Sequence, residues 1–287
     1  MKNFFRLAVL LFAITLIPAF SSDAYSGVMS MNDFRYGSEG LKQDSLSFLF
    51  PVTRRLIAGA EGTIYKTNAY NKVHSAKLPL TYTGTENLAT FTPFIYSHHL
   101  GMTAFGGFFS IETVFSFQNE TKDTLSLSLL GGYASIKGES TAGEIEKFSQ
   151  TSLGLKAEMN VQQNFKFIAG GTGFFNPSNN MEEKGLAKSV FDMKDILDVQ
   201  AYQVIRDLPE WAASVKFVRT FQPDYDNAFY LGYSKISFRD IKGANSYLAG
   251  MEFFVSENTT WELAYNFFKY QDTSAKQYFR IFVSTVF

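Results

Sequence analysis

Apolar and polar side chains alternate at every second position along much of this chain. Between Phe105 and Phe117, the odd positions carry apolar residues, glycine or threonine, whereas Ser110, Glu112 and Ser116 occupy even positions. Residues 151–161 and 210–221 repeat the pattern, with lysine and glutamate confined to one parity in the central part of each segment. Successive side chains of a β-strand point to opposite faces, so this period predicts strands with one apolar face and one polar face. The pattern predicts an all-β protein.

Fourteen segments carry this alternation. They lie near residues 27–37, 44–52, 54–66, 75–83, 88–97, 101–117, 124–137, 148–161, 164–175, 210–221, 227–239, 246–256, 260–271 and 276–287. An even number returns both chain ends to one side of a single closed antiparallel barrel. The prediction is therefore a 14-stranded transmembrane β-barrel.

Twelve strands remain the alternative for two reasons. The first segment alternates weakly, and Leu78-Pro79-Leu80 suits an edge or irregular strand, because proline donates no ladder hydrogen bond. Residues 176–209 are outside the count. We expect an extracellular loop over 176–190, and for part of the stretch either a loop helix over 185–206 or a further strand over 196–206.

Composition separates a membrane barrel from a soluble β-protein. The chain has 31 Phe and 15 Tyr but only 18% charged residues, and yet its mean hydropathy is −0.06. A transmembrane barrel reconciles these values, because alternate residues face lipid while the others face a polar interior. A lysine or arginine facing lipid at the bilayer midplane costs about 2–4 kcal/mol, which explains the confinement of charge to one parity.

The N-terminus has the features of a secretory signal peptide. Lys2 and Arg6 precede a mostly apolar run over 7–20, and Ser22-Asp-Ala24 fits the small-x-small cleavage rule. The expected domains are a signal peptide over 1–24 and a barrel over 25–287, with Ala19-Phe-Ser21 as a second cleavage candidate. A retained anchor helix is the alternative, although the run is short for a bilayer span.

The last strand carries the most specific signal. From 277 to 287, one face presents Phe279, Ile281, Val283, Thr285 and Phe287, while Arg280 and Ser284 lie on the other face. This resembles the terminal strand of bacterial outer-membrane β-barrel proteins, in which an alternating stretch ends in an aromatic residue.

The resemblance to this porin-like class implies where the chain is located and which partners it has. It implies that Phe279, Ile281, Val283 and Phe287 form the signal that the barrel-assembly machinery recognises. It also implies a location in the bacterial outer membrane among lipid and lipopolysaccharide. A monomer is the expected oligomeric state. The net charge is close to neutral, with 26 basic and 27 acidic residues, so the chain lacks the excess of basic residues expected of a nucleic-acid-binding protein.

Few residues are candidates for chemistry. His98 and His99 would point to opposite faces of a strand, and no cysteine or suitably spaced carboxylate pair supports a metal site, so no metal or cofactor is expected. His74-Ser75 invites comparison with lipid-modifying enzymes of the outer membrane, but adjacent strand residues face apart and cannot form a nucleophile–base pair. An enzyme, such as a lipid hydrolase, is the least favoured hypothesis.

The polar parity supplies candidates for a channel lining. They are Glu112, Lys156, Glu158, Lys166, Lys216, Glu252, Glu262 and Arg280. Four acidic and four basic residues predict weak charge selectivity, because selective pores often carry an excess of one sign. We expect a passive porin-like channel for small hydrophilic solutes, with a non-conducting structural or docking barrel as the alternative. The absence of a plug-sized N-terminal extension argues against an energy-coupled transporter.

Overall fold

A computed structural model of the chain describes residues 27–68, 73–98, 102–117, 123–140, 142–176, 208–222, 227–239, 242–271 and 275–287. The expected signal peptide, the alternatives for 185–206 and 196–206, and His99 lie outside the described residues. Apart from one 3₁₀ turn, Ser38–Gly40, every regular element within them is a β-strand. The all-β prediction is confirmed.

Fifteen strand segments follow one another along the chain. They are β1 (Met29–Gly37), β2 (Leu41–Thr53), β3 (Leu56–Lys66), β4 (Val73–Lys77), β5 (Leu80–Thr83), β6 (Asn87–His98), β7 (Thr103–Ser116), β8 (Thr124–Glu139), β9 (Ile145–Val161), β10 (Phe165–Phe175), β11 (Pro209–Gln222), β12 (Asn227–Phe238), β13 (Ala244–Ser256), β14 (Thr259–Tyr270) and β15 (Lys276–Val286).

The strands close into a single antiparallel barrel. Consecutive strands pair along the chain, and β1 pairs with β15 in a register that runs from Met29 opposite Val286 to Gly37 opposite Tyr278. Segments β4 and β5 both pair with β3 and with β6, so together they form one strand of the wall. The barrel therefore has fourteen strands, which confirms the favoured count over the alternative of twelve.

Two weak points of the sequence take regular places in the wall. The segment β1 pairs over all nine of its residues with both neighbours, although its alternation is faint. The proline strand is irregular as expected, because the ladder stops between β4 and β5, but it is not an edge. Instead, Gly59 donates a backbone hydrogen bond to the Pro79 carbonyl, and Leu78 donates one to the Pro93 carbonyl.

The two ends of the barrel differ in their connections. At one end, which we call the short-turn end, the strands are joined by residues 54–55, 84–86, 117–123, 162–164, 223–226 and 257–258, and the first and last described residues, Gly27 and Phe287, lie there. At the other end, which we call the long-loop end, the connections include residues 176–208. Bacterial barrels have short periplasmic turns and longer extracellular loops. This asymmetry orients the long-loop end outward.

The outer face of the wall is apolar and exposed, and the inner face is buried. Along β7, Phe105 is 64% exposed and Ile111 is 50% exposed, whereas the intervening Ala104 and Phe108 are buried. The same alternation continues around the barrel, so that a belt of exposed Phe, Leu, Ile and Val side chains surrounds it. An apolar outer belt on a closed barrel is the surface that membrane hydrocarbon covers.

Helices add nothing to this arrangement. Within the residues that the structure describes, no helix has the length and apolar character needed to cross a membrane.

The close approach at Gly59 gives a test of the wall. A Cβ atom at Gly59 would lie 2.5 Å from the Leu49 Cδ2 atom, 2.8 Å from the Pro79 Cγ atom and 2.9 Å from the Phe48 carbonyl oxygen, whereas one at Gly173 would meet no heavy atom within 4 Å. Gly59→Ala is therefore expected to lower the free energy of unfolding by about 1–3 kcal/mol through overpacking, measured by urea titration in lipid vesicles.

Gly173→Ala is the matched control, because it adds the same methyl group to another strand without a clash. It should leave stability unchanged or raise it by about 0.4–1 kcal/mol. Equal losses in the two variants would contradict a specific contact between Gly59 and Pro79.

Candidate functional site: the barrel interior

All eight charged residues of the polar parity face the barrel interior. Each lies on the face that carries the buried residues of its strand, in the middle of the wall or in the half nearer the short-turn end. The structure brings several of them together. Glu252 lies opposite Glu262, Lys166 forms an ion pair with Glu158 at 3.1 Å, and Arg280 forms one with Glu262 at 2.6 Å.

A buried charge network spans the closure of the barrel. Asp33 accepts hydrogen bonds from Arg35, whose Nη2 atom lies 2.8 Å from Oδ2, and from Arg280, whose Nε atom lies 3.0 Å from Oδ1. Arg280 also donates to the Glu262 Oε1 atom at 2.6 Å, and the Tyr230 hydroxyl donates to the same oxygen. These residues connect β1, β15, β14 and β12.

The network is nearly dry. Arg35 and Arg280 are each 3% exposed, Asp33 is 5% exposed and Glu262 is 6% exposed. Ions taken out of water are tolerated only when opposite charges and hydrogen bonds replace their hydration. The geometry meets this condition, since two carboxylates alternate with two guanidinium groups and a phenol completes the set.

Eight of the fourteen charged interior residues of the described strands were predicted from the sequence. The other six are Asp33, Arg35, Glu61, Glu146, Lys77 and Lys276, which the structure also places on the interior face. A signal was available, because Asp33 and Arg35 flank Phe34 at a spacing of two. The faint alternation of the first segment concealed it.

Smaller polar contacts line the wall next to the network. Lys77 forms an ion pair with Glu61 at 3.2 Å, and the Thr63 hydroxyl donates to the Ser45 hydroxyl at 2.9 Å. Nearer the long-loop end, the hydroxyls of Tyr65 and Tyr96 are 2.7 Å apart. This sector therefore satisfies its polar groups across neighbouring strands.

Another sector holds charges without such partners. Across the described residues, Glu112, Lys156 and Glu252 form no hydrogen bond or ion pair, and the Lys216 Nζ atom has one contact, 4.2 Å from the centre of the Tyr230 ring. These side chains are partly exposed inside the barrel. An unpaired charge away from water is very costly, and the partial exposure of these side chains leaves their charged groups open to water inside the barrel.

Towards the long-loop end, the interior becomes apolar. Its wall is formed by buried aromatic and aliphatic side chains that pack as one cluster, including Phe94, Phe108, Ile136, Phe148, Phe174, Ile236, Phe238, Phe268 and Tyr278. The interior thus has its buried charge network at the middle and short-turn end, and a mainly apolar layer towards the long-loop end, where Glu146, Lys276 and the buried Gln150 and Ser246 also face inward.

The histidines contribute no assembled site. His74 lies opposite Ser97 in the ladder, whereas Ser75 lies opposite Tyr96, so His74 and Ser75 point to opposite faces of the wall. His98 ends β6. In the part of the chain that the structure describes, no three His, Asp or Glu side chains are grouped as metal ligands.

The terminal strand presents outward the four residues for which the sequence predicts a role as an assembly signal. Phe279, Ile281, Val283 and Phe287 lie on the lipid-facing side, and Phe279 stacks on Tyr36 of the neighbouring β1 with ring centres 5.4 Å apart. Because they point in the same direction, they form one continuous apolar strip on the outer face of β15, next to its pairing with β1.

The buried network predicts a large effect from a small substitution. Asp33→Asn keeps the shape of the side chain but removes the negative charge that faces Arg35 and Arg280, so a buried guanidinium charge loses its counterion. Breaking a buried pair costs about 3–5 kcal/mol, and the urea-induced unfolding free energy should fall by that amount.

Lys77→Met is the comparison. It breaks an ion pair that is less completely buried, so a loss of about 1 kcal/mol or less is expected. An Asp33→Asn variant as stable as Lys77→Met would show that the network does not stabilise the closure.

Comparisons with known proteins support the fold. No protein-family model matches the sequence, and no curated protein sequence does. Among solved structures, the chain is similar to OccAB1 of Acinetobacter baumannii, with 6% identity, 93% of this chain and 98% of that chain covered, and a TM-score of 0.54. This likeness shows a shared barrel fold.

Two further structures give lower scores. OccK8 (OprE) of Pseudomonas aeruginosa is 9% identical, with 93% of this chain and 99% of that chain covered and a TM-score of 0.49. The NanC porin is 12% identical, with 90% and 98% covered and a TM-score of 0.46.

Proposed function

We propose that the chain is a passive, porin-like channel of the bacterial outer membrane that passes small hydrophilic solutes. The observation that carries this proposal is the set of interior charges that form no ion pair or hydrogen bond within the described residues, above all Glu112 and Lys156, together with Lys216, whose Nζ atom contacts only the Tyr230 ring. Their hydration requires water inside the wall, and a water-filled interior open at both ends is a diffusion path.

The charge balance of the interior supports weak ion selectivity. On the described strands, the interior face carries seven acidic and seven basic side chains. The acidic residues are Asp33, Glu61, Glu112, Glu146, Glu158, Glu252 and Glu262, and the basic residues are Arg35, Lys77, Lys156, Lys166, Lys216, Lys276 and Arg280. Because neither sign dominates, permeation would be governed mainly by size.

A sealed structural or docking barrel is the second candidate. The apolar layer favours it, because buried aromatic side chains such as Phe268 and Tyr278 resist the entry of water and ions, and hydrophobic constrictions close pores by dewetting. Conduction separates the candidates. For either one, we propose a monomer without catalytic activity.

The first test is conductance across a planar lipid bilayer. The folded full-length mature chain is expected to give steady ohmic steps, with a reversal potential close to zero in a salt gradient because the interior charges balance. Insertion without current would overturn the channel proposal and leave the docking barrel.

Two charge reversals sharpen this test. Lys216→Glu should move the reversal potential towards cation selectivity, and Glu252→Lys should move it towards anion selectivity, because each changes the interior charge by two. The outward-facing Lys147→Glu is the matched control and should leave selectivity unchanged. Equal effects of Lys216→Glu and Lys147→Glu would place the ion path elsewhere.

We also propose the route by which the chain reaches the membrane. A signal peptide ending near Ala24 directs export, and the outward edge of β15, formed by Phe279, Ile281, Val283 and Phe287, is recognised by the barrel-assembly machinery. The exposed Phe287, at 74%, supports the second step, since its ring is free to contact another protein.

Deletion of Phe287 tests the assembly step in cells. The amount of folded protein in the outer-membrane fraction should fall severalfold, while intact mass spectrometry of the material that remains should still show a chain beginning at Tyr25. Deletion of Glu257, a single exposed residue in the connection between β13 and β14 at the short-turn end, is the control for general damage. Normal assembly without Phe287 would refute the proposed signal.

A further inference from the structure

Six lysines stand on the outer face of the wall at the long-loop end. They are Lys42, Lys66, Lys137, Lys147, Lys235 and Lys269, and we call them the lysine collar. Each is exposed, and each lies beside a buried residue that points to the interior, so the outward direction of every lysine is fixed by its strand.

Four of these lysines face each other directly. Lys42 lies opposite Lys66 across β2 and β3, and Lys137 lies opposite Lys147 across β8 and β9. Like charges in directly opposite positions of a ladder destabilise the sheet. The same arrangement on two distant parts of the wall therefore suggests a partner that offsets the repulsion.

The remaining two lysines lie on either side of the same asparagine. Lys235 of β12 and Lys269 of β14 both lie opposite Asn245 of β13, one on each side. The Asn245 side-chain oxygen accepts a hydrogen bond from the Tyr233 hydroxyl at 2.7 Å. This orients the amide nitrogen of Asn245 away from Tyr233, where it is able to donate between the two lysines.

Acidic side chains of the protein do not supply the missing charge. Over the described ranges, no member of the lysine collar forms an ion pair or hydrogen bond with a protein group, and Lys235 has only a contact with the Trp211 ring. On this part of the outer face there are three acidic residues, Asp44, Glu139 and Glu210, against the six lysines.

Tyrosines fix the height of the lysine collar relative to the membrane. Tyr36 lies directly opposite Lys42, and Tyr233 and Tyr247 lie opposite each other two residues below Lys235 and Asn245. Aromatic girdles of membrane barrels lie at the interface between hydrocarbon and headgroups. Lysines level with these rings or one step beyond them reach the layer of lipid phosphates.

The short-turn end lacks such a feature. On the described strands, the one charged residue that faces outward in that half is Arg219, whose guanidinium lies over the rings of Phe165 and Phe221. The connection 54–55 at that end adds the exposed Arg54 and Arg55, but outward lysines opposite one another on neighbouring strands are found, among the described residues, at the long-loop end.

We propose that the lysine collar binds the phosphate groups of lipopolysaccharide in the outer leaflet. Each opposed pair, and the Lys235–Asn245–Lys269 row, provides converging donors for one phosphate, and the apolar belt beneath covers the acyl chains. The proposal requires that the barrel lie in the outer membrane, but it holds whether or not the interior conducts.

Native mass spectrometry of the folded mature chain, with EDTA to remove bridging cations, tests the proposal. The probes are bisphosphorylated lipid A, its dephosphorylated form and phosphatidylglycerol. A lysine near an anionic surface contributes roughly a fivefold change in affinity, so Lys137→Gln with Lys147→Gln should weaken lipid A binding at that position by about 25-fold. Replacing all six lysines with arginine should preserve binding.

Lys156→Gln is the matched control, because it removes the same charge from β9 but on the interior face, and it should not change lipid A binding. Three results would overturn the proposal: wild-type affinity after all six lysines become glutamine, equal binding of dephosphorylated lipid A, or equal binding of phosphatidylglycerol. If the glutamine variant does not fold, salt titration of the wild type decides, since binding that is insensitive to salt contradicts an ionic contact.

Discussion

The structure depends on the requirement that no backbone polar group be left unpaired in hydrocarbon. An open sheet would expose two unsatisfied edges to lipid, so a membrane-spanning sheet is stable only when it closes on itself. The pairing of β1 with β15 is that closure, and it joins two strands that are 239 residues apart at Ser38 and Gln277, where the Gln277 amide donates to the Ser38 hydroxyl. The other strand pairs are formed between neighbours in the chain.

The most completely buried charges lie at this closure. Asp33 and Arg35 come from β1, Arg280 comes from β15 and Glu262 comes from the next strand, so the two ends of the chain contribute to one network. A mispaired closure would leave buried charges unmatched, which costs several kcal/mol. The network therefore favours one register between β1 and β15, the pair of strands that is separated by the greatest length of sequence.

The same alternation of side chains suits the inner face of the wall to a polar environment and the outer face to hydrocarbon. Inside, charges are either paired, as Lys166 is with Glu158, or hydrated, as we infer for Glu112. Outside, charges are excluded from the hydrocarbon belt and return only at the long-loop end as the lysine collar. The proposed channel thus follows from interior charges that contact water. The proposed lipid surface follows from outer lysines that lie where the hydrocarbon ends and the lipid phosphates begin.

The sequence by itself determined the all-β class and the direction in which most of the charged side chains point, and it favoured fourteen strands over twelve. These features follow from the period of two in the sequence, which can be recognised in each strand without knowing which strand pairs with it. All eight residues assigned to the interior from parity alone face the interior, and Pro79 disturbs its ladder as proline chemistry requires.

Tertiary structure decided what those side chains meet. The alternation predicts that Arg280 faces the interior. Its contact with Asp33, however, depends on the register between two strands at opposite ends of the chain. The same holds for Lys137 and Lys147, which are opposite one another only because β8 and β9 pair in one register. The division of the interior into charged and apolar layers also arises from stagger around the barrel. Alternation fixes orientation, whereas closure and stagger fix neighbours, because hydrogen-bond register is a property of strand pairs and not of single strands.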